Sequence, residues 1–145
     1  SAEFTNGNNL SAWCGMKDWS IYVGQTYRAR VYPYFNAPAV YSAVTAAQWS
    51  ALNYLANVSI PAAHAAGTHT AILNVQNAIW FILGQLTTTP NTTVLAIANE
   101  ATAATGYIPP LGGYIAVLVE PFQDITNGKT VQEHQYQIAI VRYDP

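Results

Sequence analysis

Ile72-Leu73-Asn74-Val75-Gln76-Asn77-Ala78-Ile79-Trp80-Phe81-Ile82-Leu83 is the stretch on which the reading of this chain turns. Ile72, Val75, Ile79 and Leu83 recur at steps of three and four, the spacing of one helix face. Gln76 and Trp80 fall on the same stripe, so a primary amide stands where the pattern asks for an apolar side chain. An amide buried without a partner costs about 1–3 kcal/mol. Some group elsewhere in the chain must therefore answer Gln76.

Working outward, Thr68 is placed to cap this helix and Gly84 to end it. Upstream, Thr45-Ala46-Ala47-Gln48 is a capping box. It predicts a helix to about Asn57, with Trp49, Leu52, Leu55 and Ala56 on its apolar side. Ser59 to Gly67, with Pro61, reads as a loop. Downstream, an alanine-rich helix is expected over about Thr93 to Thr105, ending at Gly106.

Strand patterns lie on both sides of these helices. Ser11-Ala12-Trp13-Cys14-Gly15 reads as a short strand, with Ala12 and Cys14 pointing one way and Trp13 the other. Ser20 to Val23 and Tyr27 to Tyr32 read as a hairpin around Gly24-Gln25. Its second arm is expected to face Tyr27, Ala29 and Val31 inward and Arg28 and Arg30 outward. Tyr114 to Val119 is a nearly continuous apolar strand closed by Pro121, Asn127-Gly128 is a turn signal, and His134 to Tyr143 is a last strand. The first ten residues are expected to fray. The order implies a single α+β domain over residues 1–145. Its body is expected to be an antiparallel sandwich or barrel-like sheet, with about three helices inserted between the N- and C-terminal strands, over about residues 38–106.

Composition narrows the function. Charged residues make up only 8% of the 145 and hydrophobic ones 51%, whereas about 25% charge is usual in soluble domains. The polar surface must come from Thr, Asn, Gln, Ser and Tyr, which suits a secreted or wall-facing domain. A net charge of −2 with no basic run argues against nucleic acid and anionic membrane. No apolar run approaches the ~20 residues of a membrane helix. With one cysteine and three scattered histidines, neither an internal disulfide nor a metal or other cofactor is expected.

As a nucleophile, Cys14 would need a base within reach and a helix N-terminus or similar support for its thiolate. Here it sits in a strand. Taken singly, Cys14 reads as a small buried hydrophobe, Gln76 as an amide bonded to a sheet edge, and Trp80 as core. Taken together, a lone thiol and a stripe glutamine in an extracytoplasmic domain invite a joint explanation, because an unpaired thiol there is open to oxidation.

Ala12-Trp13-Cys14, Ile21-Tyr22-Val23-Gly24-Gln25 and Val75-Gln76-Asn77-Ala78-Ile79-Trp80 together resemble the bacterial thioester domains of surface adhesins. That family pairs an aromatic-cysteine strand with an apolar-Gln-x-x-apolar-Trp helix, and the resemblance runs from about Ser11 to Val141. The sequence departs from it at Gly15, which follows the cysteine where an apolar residue is expected.

The resemblance implies an internal thioester between the Cys14 sulfur and the Gln76 side-chain carbonyl, made with loss of ammonia. Such a bond is a stored acyl donor, open to an amine such as a lysine on a host or surface ligand. The module would fire once and is not a turnover enzyme. Trp13 and Trp80 are the expected walls against water, and His69, two turns before Gln76, is a candidate proton helper. The resemblance further implies a monomer at the bacterial cell surface, extracellular, with neither nucleic acid nor membrane insertion. Two other readings stay open: a non-covalent carbohydrate- or protein-binding module, given ten tyrosines and four tryptophans as anchors, and a thiol hydrolase.

Overall fold

The computed structural model describes residues 2–3, 9–15, 26–32, 44–130 and 136–143. The expected strand at Ser20 to Val23 with its Gly24-Gln25 turn, the start of the helical insertion near residue 38, and His134 lie outside them. Strands β1 (Ala2–Glu3), β2 (Asn9–Cys14) and β3 (Tyr27–Tyr32) precede four helices. These are α1 (Ala46–Asn57), α2 (Ser59–Ala66), α3 (His69–Ile82) and α4 (Thr92–Ala103). Strands β4 (Tyr114–Asp124), β5 (Lys129–Thr130) and β6 (Gln137–Arg142) complete the chain. The fold is α+β, with the helices inserted between the strands.

The described strands form one antiparallel sheet in the order β1-β2-β6-β4-β3, with β5 against the far end of β4. It is open, not closed into the barrel-like body the sequence suggested. Helices cover one face instead. Leu52, Leu55, Val75 and Ile79 pack there with Trp13, Leu118, Tyr136, Ile138 and Ile140. Full burial of each Leu or Ile stabilises the fold by about 1.5–3 kcal/mol. A smaller cluster of Val117, Val119 and Ala139, with Ile115 and Val141, lies on the alternate positions of β4 and β6. Both central strands are therefore apolar on both faces, and in β4 that gives the continuous run Ala116 to Val119.

The caps behave as the sequence predicts. Thr45 and Gln48 close a reciprocal capping box on α1, Thr68 accepts from the Ala71 amide at the start of α3, and Gly84 adopts φ 72° just past its end. Four features differ. The first two concern the opening residues and the stretch after α1. Ala2 and Glu3 pair with Leu10 and Asn9, where a frayed lead-in was expected. Ser59 to Ala66 is helix α2, not a loop. Pro61 is tolerated because it lies in the first turn, where amides have no intrahelical acceptor, and the first such bond there runs from Ala62 N to Val58 O.

The other two concern β4 and β3. Pro121 does not close β4. Pairing with β6 has already ended at Val119, and Pro121 sits beside a bulge where Arg28 pairs with Gln123 but Ala29 pairs with Pro121, a position that can spare an amide. Ala29 is exposed and Val31 is 49% exposed, contrary to the inward face assigned to them. β3 ends the strand order, and the residue that reaches the core is Tyr32. Asp124, at the end of β4, is 8% exposed. It accepts from Asn127 N and Asn127 Nδ2 and so fixes the turn before Gly128.

Side-chain amides on α1 join the helices to the sheet. β3 pairs with β4 only from Leu118 onward, which leaves Tyr114 and Ala116 with main-chain groups to satisfy. Asn57 Oδ1 accepts from Tyr114 N at 2.9 Å, and its Nδ2 donates to Tyr114 O at 2.8 Å. Asn53, itself 7% exposed, accepts from Ala116 N at 2.8 Å.

Candidate functional site at the Cys14–Gln76 junction

β2 meets β6 with Trp13 opposite Ile138 and Cys14 opposite Gln137. The next main-chain bond runs from Gly15 N to Tyr136 O at 3.0 Å. In an antiparallel ladder the N–H and C=O of one residue point the same way and alternate between neighbours. Those of Cys14 therefore turn away from β6, toward the edge of β2. Among the described residues, β1 pairs with β2 only at Asn9 and Leu10 and does not reach Cys14.

Gln76 fills the gap. Its Oε1 accepts from Cys14 N at 2.9 Å and its Nε2 donates to Cys14 O at 2.9 Å. The carboxamide thus imitates the peptide group of an additional strand. It satisfies the awkward amide of the α3 stripe and the open edge of β2 together, across 62 residues of sequence. Val75 and Ile79, 2% and 1% exposed, anchor α3 to the core on either side of Gln76.

Cys14 is half-buried. Burial pushes its thiol up from the ordinary value, and the Gln137 side chain beside it pulls part of the way back. Gln137 Nε2 is itself buried without a hydrogen-bond partner, on the residue directly opposite Cys14 in β6. The other such atom among the described residues is Trp80 Nε1, four residues and about one turn beyond Gln76.

The two remaining residues picked from sequence take different places. Trp13 is 5% exposed and belongs to the helix-side core. There it stacks on His64 of α2, with ring centroids 6.3 Å apart and planes 17° from parallel. Strand alternation puts Cys14 on the other face, so Trp13 anchors β2 from beneath and does not roof the sulfur. His69 opens α3 and is exposed, facing solvent two turns from Gln76. The structure thus brings Cys14 and Gln76 together, with Trp80 a turn along α3, and leaves His69 outside.

Sequence reasoning passed over Gln137 and noted Gly15 without a reason for it. The signal for Gln137 was present: a lone amide in the alternate set Gln137, Ala139, Val141. Assigning it required the strand register. Gly15 follows the cysteine because the Tyr136 ring fills the space beside it, and a Cβ there would come within 2.0 Å of ring carbon Cε2. The departure from the adhesin pattern is thus matched by a specific packing partner. Among the described residues no group of three His, Cys, Asp or Glu is placed to hold a metal ion, and no helix is long and apolar enough to cross a membrane. Compared with known proteins, the chain matches no family model, no curated protein and no solved structure at a significant level.

Proposed function

We propose that this domain is a covalent adhesion module whose Cys14 sulfur and Gln76 carboxamide condense into an internal thioester. The observation that carries the reading is the paired hydrogen bond between the Gln76 amide and the Cys14 main chain. Asn57 on Tyr114 shows that this fold uses the same device for joining alone. What sets Gln76 apart is the residue it grips, the only cysteine in the sequence.

The geometry suits acyl transfer. Both hydrogen bonds hold the carboxamide roughly in the plane of the sheet, while the cysteine side chain stands out of that plane. On the thioester reading, the sulfur would reach the Gln76 carbonyl carbon from out of that plane, the direction a nucleophile needs. Cys14 N–H already donates to Oε1, so negative charge developing there meets a donor in place. Sulfur bonds to the carbonyl carbon, the carbon–nitrogen bond breaks, and the amide nitrogen leaves as ammonia with the thiol proton. Opening is the same exchange with a new amine. Its lone pair bonds to the carbonyl carbon, the carbon–sulfur pair returns to sulfur, and the amine proton makes the thiol.

The partner class follows from that chemistry: an unprotonated primary amine such as a lysine on a surface protein of the host, joined through a permanent amide. Low charge and a Thr/Asn/Tyr-rich surface fit an extracellular domain at a bacterial surface. A bond across 62 residues also restricts the unfolded chain by about 4 kcal/mol on the disulfide analogy. A thiol hydrolase is disfavoured, because burial raises the Cys14 thiol where such an enzyme needs it lowered. Incubation with a labelled primary amine tests the reading. Label should map to Gln76 in the wild-type chain and be lost in Cys14→Ala. Label absent from both would leave the non-covalent binding module as the function.

A further inference from the structure

We propose that Gln137 is a catalytic residue for opening that bond, its carboxamide N–H stabilising the charge that gathers on the Cys14 sulfur as the carbon–sulfur bond breaks. The inference rests on the thioester reading and adds a residue to it.

Register supplies the first argument. Cys14 and Gln137 stand directly opposite in β2 and β6. Because the main-chain groups of Cys14 are taken by Gln76, this is a non-hydrogen-bonded pair, the kind in which facing side chains come closest, with Cα atoms about 4.5 Å apart. The neighbouring pair, Trp13 and Ile138, points to the opposite face and joins the helix-side core.

The second argument is an unmet donor. Gln137 Nε2 is buried without a hydrogen-bond partner, on a strip whose next members, Ala139 and Val141, pack into an apolar cluster. Leaving a buried donor unpaired is costly, and an apolar side chain there would avoid the cost. A group kept in that state gains its partner only when the neighbour changes. Thioester sulfur is a poor acceptor and thiolate a strong one. The N–H therefore binds the departing sulfur more strongly than the intact bond, which is the condition for accelerating the step.

Electrostatics agree with that geometry. The Gln137 side chain is the larger of two influences that partly offset the effect of burial on the Cys14 thiol, the other being the charge of the chain's N-terminus, and both favour the thiolate.

The test uses wild type and Gln137→Met, which keeps length and apolar bulk but has no N–H. Intact mass first reads the fraction of each chain lighter by one ammonia. The rate of opening by methylamine is then followed at fixed pH. With the bond present in both, Gln137→Met should open roughly tenfold to a hundredfold more slowly. Equal rates would overturn the proposal. The pH profile of iodoacetamide alkylation is read on the opened proteins, or directly on any chain that never formed the bond. It should move to higher pH in Gln137→Met, a change a purely structural role would not produce, and an unmoved profile would also overturn it. A wild-type chain of full mass would instead refute the thioester reading beneath, and is seen before any variant is compared.

Discussion

Gln76 holds Cys14 by the main chain: Oε1 takes the Cys14 N–H and Nε2 gives to the Cys14 carbonyl, each at 2.9 Å. The contact contributes to the fold, and on the proposed thioester reading it also contributes to the chemistry of the sulfur, two effects that can be separated.

That separation is measurable. Cys14→Ala keeps both hydrogen bonds and removes the reactive atom. Adding Gln76→Ala in that background should lower unfolding stability by about 1–3 kcal/mol, since it strands two main-chain groups of β2. Asn57→Ala should cost a similar amount by freeing Tyr114 while leaving amine uptake at Gln76 unchanged. Denaturant unfolding and label incorporation read the two effects.

Gly15→Ala should be destabilising by about 1–3 kcal/mol, because the added methyl enters space held by the Tyr136 ring and overpacking of that kind displaces the larger side chain. Pairing it with Tyr136→Leu, which vacates the ring position, should recover part of the loss. Additive costs in the double variant would refute the contact as the cause.

Alkaline stability should carry the signature of Tyr136. Burial pushes its phenol up to about 12, so in the window between its unfolded value of about 10 and about 12 the unfolded chain ionises while the folded one does not. The unfolded state then binds fewer protons, and stability falls as pH rises through that window. Cys14, also raised by burial, acts in the same direction just above its own ordinary value whenever its thiol is free. Tyr136→Phe should flatten the decline between pH about 10 and 12, as read by denaturant midpoints across that range.

His69→Ala should leave the rate of opening by methylamine unchanged, because His69 is exposed at the first turn of α3 while Gln76, the proposed acyl donor, is two turns on. A marked slowing would restore it as a proton helper.

Much of this arrangement was legible in the sequence. The α3 period, the caps at Thr45 and Thr68 and the amide on an apolar stripe are local signals, and they placed Gln76 correctly. The chain also fixed which strand bore the cysteine. What it did not fix depends on neighbours far away in sequence. Val31 looked inward by alternation, yet β3 ends the strand order and its core contact is Tyr32. Ser59 to Ala66 looked like a loop because Pro61 usually breaks helices, but a first-turn proline does not. Gln137 needed the β2–β6 register before its place opposite Cys14 could be seen. Trp13 was expected as an aromatic wall of the site, although the alternation already read in its strand sends its side chain and that of Cys14 to opposite faces.

The central claim is tested most directly by the intact mass of freshly purified protein, before and after incubation with methylamine. The account predicts a chain lighter by one ammonia than its sequence. Methylamine should add its full mass to that chain as one free thiol appears at Cys14. A chain of full sequence mass, with its thiol already titratable and no uptake of methylamine, would contradict it.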